Sequence, residues 1–271
     1  MADPIPDSEQ IAALLARNEE LERRLRENAA KLERSDAELD ALAYSVSHDL
    51  KAPLWAIAGF GEILAADHRA SLTPEAQKHL DLILQSTAKM TRLFDDLVKV
   101  ARLGKKTKLL QPLNLREMIE QVVASHAERI KASSAQIALP EQTPEIVADR
   151  ALLTQIFDSL LDNALKYRKK DVPPKIVFSV REEPEQIVVC VADNGIGVPE
   201  KYREQIFNVF KRLHTEKEYA GTGVGLAIVR KAAHVSGGSA WCEGNPDGST
   251  FCVKMPKNSS SVQHTSLERP I

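Results

Sequence analysis

A histidine followed directly by an aspartate, His48 and Asp49, is the first place in the sequence where group transfer could occur. An imidazole that meets water can act as a nucleophile, and a neighbouring carboxylate can act as its base. Apolar residues around it recur at steps of three and four and predict a buried helix face that excludes His48. These apolar residues are Leu39, Leu42, Val46, Leu50 and Leu54. For this segment taken alone, a surface histidine on a helix is the simpler interpretation.

A second group of polar residues lies in the helix predicted after Asp149. One stripe of this helix is apolar and predicts a core-facing side, made by Leu152, Leu153, Ile156, Phe157, Leu160, Leu161 and Ala164. The opposite stripe consists of Gln155, Ser159, Asn163, Lys166 and Tyr167. Asn163 and Lys166 are three apart and share a face, which places an oxygen ligand beside a cation suited to phosphate. Such a face is by itself most often solvated surface.

Two glycine-rich segments could bring the backbone close to a ligand. The apolar strand predicted at 187–192 ends at Asp193, and Gly195 and Gly197 follow at alternate positions, which allows close approach to a flat ligand. The run GTGVGLAIV at 221–229 places glycine at every second residue before a helix, where free N–H groups can meet phosphate oxygens. Neither segment has the spacing of a P-loop or of a Rossmann dinucleotide-binding turn.

The chain has 271 residues, enough for more than one domain, and a net charge of −2. Without a strongly basic face, nucleic acid is excluded as the main partner. No apolar run approaches the roughly 18 residues needed to span a bilayer, and the N-terminal residues lack signal-peptide features. The three cysteines, Cys190, Cys242 and Cys252, have no metal-ligand spacing and are predicted to be reduced core thiols, which favours a cytoplasmic location.

A heptad pattern predicts a coiled coil over 9–38, after a disordered start at 1–8. The a positions are Ile11, Asn18, Leu25, Leu32, Leu39 and Val46, and the d positions are Leu14, Leu21, Asn28, Ser35 and Leu42. Asparagine at an a position favours a two-stranded state, so a parallel homodimer is predicted. The alternative is one amphipathic helix packed on its own domain, which a pattern lasting about five heptads disfavours.

Residues 39–103 predict a helical hairpin. Its first helix continues past His48 and through Pro53, which should kink it. After a break near 67–72, Thr73 and Pro74 provide the N-cap and the first position of a second helix that ends near Arg102. Two such hairpins, one from each chain, would form a four-helix bundle.

A polar stretch at 104–111 predicts a linker to a second domain at 112–257. Helices are predicted at 115–131 and from 150 to about 169, and strands near 136–139, 146, 176–180, 187–192, 239–242 and 250–255. This mixture predicts an α+β sandwich of one sheet with helices on one side. The polar tail at 258–271 is predicted to be disordered.

Together these segments resemble the sensor histidine kinases of two-component systems, over roughly Leu39 to Pro256. The stretch SHDLKAPL at 47–54 is similar to that family's phosphoacceptor box. Boxes similar to its ATP site follow in the family's order: LDNALKY at 161–167, DNGIG at 193–197, FNVF at 207–210, GTGVGL at 221–226 and GSTF at 248–251. The wording FKRLHT at 210–215 is most similar to phytochrome-like histidine kinases. The implied fold is a dimeric four-helix bundle of the HisKA type followed by a sandwich of the GHKL ATPase type.

The resemblance also implies a reaction. His48 would attack the γ-phosphoryl group of ATP, with Asp49 as base, and the phosphoryl group would then pass to an aspartate in the receiver domain of a response regulator. The implied assembly is a homodimer, and a separate sensor or upstream protein would supply the stimulus, because no sensor is visible in the sequence.

The nucleotide site that the resemblance implies is built around four side chains. Asn163 would hold Mg²⁺, Lys166 would contact phosphate, Tyr167 would flank the nucleotide and Asp193 would accept a hydrogen bond from the adenine amine. The remaining residues of this implied site are Ser159, Gly195, Gly197, Gly221, Thr222, Gly223, Gly225, Leu226 and Thr250.

Two positions depart from the family pattern. Ser159 stands where the family often has a second asparagine, which implies weaker metal binding. Ala52 stands where kinases that also dephosphorylate their partner often have threonine or asparagine, which implies weak phosphatase activity. Two other interpretations stay open: a GHKL-superfamily ATPase or serine kinase acting on a partner, which would lack a hairpin bearing His48, and a catalytically weakened signalling scaffold, which Ser159 would favour.

Overall fold

The computed structural model describes residues 8–104, 109–215, 218–219 and 221–258. Within the first helix it describes the whole backbone but not every side chain, and the side chains of His48, Leu39 and Leu42 lie outside the described set. The predicted disordered ends also lie outside it, apart from their inner residues. Of these, Ser8 begins the first helix and Asn258 forms an isolated bridge with Val147.

Two long helices form an antiparallel hairpin. Helix α1 is Ser8–Asp67, helix α2 is Pro74–Arg102, and a 3₁₀ turn at Arg69–Ser71 lies between them. The Thr73 side chain accepts a hydrogen bond from the Ala76 N–H at 3.2 Å, so the predicted N-cap is confirmed. The described backbone of α1 is helical through Pro53, as predicted, and it joins the segment predicted to be a coiled coil to His48 without a break.

The predicted buried face of α1 is only partly buried within the chain. Leu54 is 6% exposed and packs inside the hairpin, but Val46 and Leu50 are 44% and 42% exposed. The apolar stripe therefore covers more surface than α2 can bury. Further exposed apolar side chains on the two helices are Leu14, Leu21, Leu25, Trp55, Ile57, Phe60, Ile63, Leu64, Ile83 and Met90.

The C-terminal part contains two sheets and four helices among its described residues. Its strands are β1 (Leu110–Asn114), β2 (Gln136–Ala138), β3 (Glu145–Asp149), β4 (Lys175–Glu182), β5 (Gln186–Asp193), β6 (Ser239–Gly244) and β7 (Ser249–Pro256). Its α-helices are α3 (Leu115–Ser125), α4 (Ala127–Ser133), α5 (Arg150–Lys166) and α6 (Gly225–Val235). Two 3₁₀ turns, Glu200–Tyr202 and Gln205–Phe207, precede the glycine-rich loop.

The larger sheet has the strand order β2-β4-β5-β7-β6, with β2 parallel to β4 and the other neighbours antiparallel. The smaller sheet pairs β1 with β3 in antiparallel register, so the prediction of a single sheet was wrong. Strand β1 escaped prediction because it contains Pro112, which is tolerated in an edge strand but weakens the strand signal. The single helix predicted at 115–131 is two helices, because the backbone of His126, between them, leaves the helical conformation.

One apolar core joins α3, α5 and α6 to the inward side of the larger sheet. Its fully buried members include Ile119, Phe157, Phe178 and Phe207. The predicted apolar stripe of α5 lies in this core, whereas its polar stripe faces away from the sheet. The α+β sandwich was therefore correctly predicted, with its helices on one side of the larger sheet.

The prediction of three reduced thiols was wrong. Cys190 and Cys252 are register partners on β5 and β7 and form a disulfide, 62 residues apart in sequence. Cys242 is free and buried, and burial raises the pKa of its thiol to about 12. The disulfide removes the support that reduced thiols gave to a cytoplasmic location. Among the described residues, no helix has the length and apolar character needed to cross a bilayer.

Candidate functional site

A cavity of about 340 Å³ opens between α5, the ends of β5 and β7, and the glycine-rich loop before α6. Burial of the apolar stripe of α5 turns its polar stripe towards this cavity, and the loop closes the other side. The predicted site residues in its wall are Ser159, Asn163, Lys166, Tyr167, Asp193, Gly197, Gly221, Thr222, Gly223, Gly225 and Leu226. Segments separated by more than 60 residues of sequence thus meet at one site.

The position of Lys166 is fixed by α5, whose first turn is capped by Asp149. The Asp149 carboxylate accepts hydrogen bonds from the N–H groups of Ala151 and Leu152 at 2.8 and 3.2 Å. Burial lowers the pKa of the Lys166 ammonium, and the neighbouring Asp162 carboxylate partly opposes this shift. An anionic ligand in the cavity would stabilise the charged form of Lys166.

Two further cations lie near Lys166. Arg212 and Arg129 both act to lower the pKa of Lys166 by charge repulsion. Arg129 donates a hydrogen bond to Asp162 at 2.6 Å. This end of the cavity is therefore suited to a multiply charged anion such as a chain of phosphates.

An aromatic group covers the end of α5. The Tyr167 ring lies 5.1 Å from the ring of Tyr219 and 6.4 Å from that of His214, centroid to centroid. The Tyr219 hydroxyl donates to the carbonyl of Arg168 at 3.2 Å, which ties the segment before the glycine-rich loop to the helix end. Tyr167 had been predicted, but His214 and Tyr219 had not been assigned a role, because their ring contacts depend on how that segment folds back.

The Asp193 carboxylate lies in the cavity wall at the end of β5. It accepts a hydrogen bond from the Gly195 N–H at 2.8 Å. Burial raises the pKa of Asp193, although N–H groups of Gly195 and Ser249 act in the opposite direction. A half-buried carboxylate with a spare lone pair suits recognition of an amino group on a flat base.

Arg212 organises the glycine-rich loop. Its guanidinium donates to the carbonyl of Gly221 at 2.6 Å and to that of Tyr219, and its buried Nε has no hydrogen-bond partner among the described residues. Gly223 has a φ of +79°, and a Cβ there would lie 2.8 Å from Cγ of Arg212. Glycine at 223 is thus required by both conformation and space. Arg212 was missed as a site residue, because the sequence does not show that it folds over the loop.

Two predicted residues, Gly195 and Thr250, do not line the cavity. Side chains alternate along β7, so Ser249 and Phe251 face the cavity and Thr250 faces away. Thr250 is within hydrogen-bonding distance of Asn245, 3.2 Å away. Gly195 contributes its N–H to Asp193 instead of lining the wall.

Helix α2 also contributes to the cavity, through Asp96 and Lys99. Two contacts locate His48 relative to them: Lys51 pairs with Asp95 at 2.5 Å, and Arg102 donates to the Tyr44 hydroxyl at 3.2 Å. On α1, the backbone of His48 lies between Tyr44 and Lys51. On α2, residues 96 and 99 lie between the partners of those two residues, Arg102 and Asp95. The cavity therefore opens beside the level of His48 on the hairpin, about one helical turn from Lys51. Asp49 is exposed.

The cavity wall carries oxygen groups that could serve as ligands for Mg²⁺. Asn163, Ser159, Asp158 and Asp162 all line the same part of the cavity. In the part of the chain that the structure describes, no three His, Cys, Asp or Glu side chains form a metal-binding group. Mg²⁺ commonly takes one or two protein oxygens and completes its shell with phosphate oxygens and water. The residues present therefore fit a nucleotide-bound Mg²⁺.

Comparison with known families finds two matches. Residues 38–106 match the His Kinase A (phospho-acceptor) domain, and residues 148–259 match the Histidine kinase-, DNA gyrase B-, and HSP90-like ATPase family. The first match contains α2 and the part of α1 that bears His48, and the second contains α5, the larger part of the sheet and the glycine-rich loop.

Known proteins with similar sequences and structures include three that bear on the site. The phytochrome-like protein Cph1 of Synechocystis is 35% identical over 84% of this chain, which spans 30% of Cph1. A structure of full-length ShkA in complex with AMPPNP is 25% identical, with a TM-score of 0.59, covering 80% of this chain and 45% of ShkA. The histidine kinase ThkA, solved in complex with the response regulator TrrA, has a similar fold at 23% identity, with a TM-score of 0.55, covering 89% of this chain and 66% of ThkA.

Proposed function

Since the chain belongs to the sensor histidine kinases, we propose that it transfers the γ-phosphoryl group of ATP to His48 and then to an aspartate of a response regulator. The observation that carries this proposal is the position of the cavity. One cavity is lined both by residues that belong to the ATPase family match and by two residues of α2. It opens beside the level of His48. A nucleotide held there would need only a short movement to reach the histidine.

The proposed nucleotide orientation follows from the charges in the cavity. The adenine amine would donate to Asp193, because this half-buried carboxylate is an acceptor in the cavity wall at the end of β5. The phosphates would lie against the glycine-rich loop and Lys166, where N–H groups, the positive end of α6 and the cations meet. Tyr167 would flank the nucleotide under His214 and Tyr219.

Asn163 is the residue proposed to hold Mg²⁺, with Ser159 as a weaker oxygen neighbour. The bound ion would neutralise part of the phosphate charge. The amide oxygen of Asn163 is in the wall beside Lys166, one helical turn away, so ion and ammonium would share the same phosphates.

In the proposed reaction, an imidazole nitrogen of His48 forms a bond to the γ-phosphorus as the bond from that phosphorus to the β,γ-bridging oxygen breaks. ADP leaves with the electron pair of that bond, and Asp49 takes the proton lost by the imidazole. In the second step, a carboxylate oxygen of the receiver aspartate attacks the same phosphorus and His48 leaves. Positioning and charge stabilisation supply the catalysis, as in other phosphoryl transfers.

A second copy of the chain is the proposed partner of the exposed apolar faces of α1 and α2. Leu14, Leu21 and Leu25 are 64%, 50% and 72% exposed, and a two-stranded coiled coil would bury such a seam. The proposed division of the chain is a coiled coil at 9–38, a hairpin at 39–103, a linker from 104 and an ATP-binding module that ends at 257. This module begins with β1 at Leu110, two residues before the boundary predicted at 112. ThkA, the relative solved with a response regulator, supports a receiver domain as the second partner.

The proposal is tested by incubation with γ-labelled ATP and Mg²⁺. We expect acid-labile, base-stable label on the wild-type chain and none on His48→Gln. His68→Gln, just before the 3₁₀ turn at the far end of the hairpin, is the matched control and should label normally. Label on serine would instead support a serine kinase of the same superfamily. Nucleotide binding without any label would support the weakened scaffold.

A further inference from the structure

A carboxylate from the hairpin occupies the glycine-rich side of the cavity. Thr222 donates its hydroxyl hydrogen to Asp96 at 2.5 Å, although the two residues are 126 positions apart in sequence. The other oxygen of Asp96 accepts from Lys99 at 2.9 Å, and the Asp96 side chain is 20% exposed. Asp96 is therefore held on both oxygens in the wall of the nucleotide cavity.

The contact matters because Thr222 lies in the glycine-rich loop. Thr222 lies between Gly221 and Gly223, in the loop that leads into α6. Backbone N–H groups and the positive end of a helix favour one anion at such a loop, whether it is a carboxylate or a phosphate. Two anions at the same place repel each other strongly, because little water separates them.

The end of α2 is also docked on the ATP-binding module. Leu103 is 8% exposed and belongs to the module core, and a Cβ on Gly104 would lie 2.7 Å from the side chain of Val235 on α6. Asp95, next to Asp96, pairs with Lys51 of α1. Two adjacent carboxylates thus connect α2 to the phosphoacceptor helix on one side and to the nucleotide loop on the other.

We propose that Asp96 is a positioning residue whose carboxylate holds Thr222 by occupying the place of a nucleotide phosphate. Nucleotide binding and docking of the glycine-rich loop on α2 therefore oppose each other. Asp96 acts through Thr222 and does not react. The inference rests on the proposed function, since it requires that ATP phosphates bind at this loop. By thermodynamic linkage, the contact weakens nucleotide binding by the same factor by which bound nucleotide weakens the contact.

The first test measures the Kd of the ATP analogue AMPPNP with Mg²⁺ by calorimetry on the full chain. Asp96→Asn should lower the Kd by about 3- to 10-fold, the size of one opposed charge-assisted contact. Asp81→Asn is the matched control, because Asp81 lies on the same helix and pairs with Arg69 far from the cavity. Its Kd should equal that of the wild type.

An Asp96→Asn variant with the wild-type Kd, or a higher one, would overturn the inference while leaving the proposed function intact. A wild-type chain that does not bind AMPPNP at all would instead overturn the proposed function. These two failures are therefore distinguishable in one series of titrations.

The second test closes the contact covalently. In the double variant Asp96→Cys with Thr222→Cys, mild oxidation by diamide should form a disulfide, and the crosslinked chain should bind AMPPNP at least tenfold more weakly than after reduction. The wild type, treated with the same oxidant and reductant, controls for the Cys190–Cys252 disulfide. Failure to crosslink, or equal binding by the crosslinked and reduced forms, contradicts the inference.

Discussion

In the ATP-binding module the large apolar side chains, Phe157 and Phe178 among them, are fully buried, whereas Trp55 and Phe60 on the hairpin remain 63% and 70% exposed. The module closes a core within one chain. The hairpin leaves many large apolar side chains uncovered within one chain, and exposed apolar surfaces mark sites of association. The two regions therefore depend on different things: the module on its own packing and, in the proposed dimer, the hairpin on the concentration of a second copy.

The largest expected effect comes from moving a phenylalanine-to-alanine change between the regions. Phe157→Ala should lower the free energy of unfolding of the module by about 3–5 kcal/mol, because it leaves a cavity in a closed core. The measurement is urea unfolding followed by Trp241 fluorescence in a Trp55→Phe background, since Trp55 and Trp241 are the chain's two tryptophans. The loss should be the same at two protein concentrations tenfold apart.

Phe60→Ala is the corresponding change in the hairpin. It should leave the Trp241 transition unchanged and should lower the midpoint of hairpin unfolding, followed by far-ultraviolet circular dichroism, in a concentration-dependent way. A Phe60→Ala effect independent of concentration would mean that the apolar surface of the hairpin is not covered by a second copy.

An intermediate effect is expected from the disulfide, which belongs to the module alone. Reduction of Cys190–Cys252, or the double change to serine, should destabilise the module by about 2–4 kcal/mol, because a 62-residue loop in the unfolded chain is released. The Trp241 transition reports this change. The Cys242→Ala variant should respond to reductant like the wild type, since Cys242 is free. An unchanged transition after complete reduction would contradict the expectation.

The smallest expected effect on stability concerns Asp193, whose pKa is raised by burial. A folded-state pKa above the unfolded value means that the folded chain binds the proton more tightly. The contribution of Asp193 to the free energy of unfolding therefore falls as the pH rises above its ordinary pKa of 3.8. Asp193→Asn should therefore hold or increase stability at neutral pH and flatten its pH dependence in the acidic range. The same change should weaken AMPPNP binding at least tenfold, because the proposed acceptor for the adenine amine is lost. Destabilisation at neutral pH would show that Asp193 mainly supports the fold.

The elements that could be predicted from sequence are those with a strong local signal. The heptads of α1, the Thr73 cap and the apolar stripe of α5 each depend on residues within a few turns of one another. The glycine-rich segments likewise indicate a backbone that can approach a ligand closely. These signals sufficed for both the sandwich and most of the cavity wall.

What escaped prediction depends on register and on docking. Cys190 and Cys252 pair because β5 and β7 align them, and Ser249 lines the cavity in place of Thr250 because of the pleat. Asp96 reaches the loop because α2 docks on α6. None of these contacts can be predicted from residues that are close in sequence. The sequence therefore identifies the side chains but not the residues that they contact.

Helix α1 has one further consequence. At about 1.5 Å per residue its 60 residues form a rod about 90 Å long, and His48 is carried on the same rod as the leucine seam. A torque applied near Ser8 would reach the histidine without crossing a joint. Because Lys51 pairs with Asp95, rotation of α1 would also move the neighbouring carboxylate of Asp96, which restrains the nucleotide loop. A single mechanical input would therefore act on the phosphoryl acceptor and the phosphoryl donor together.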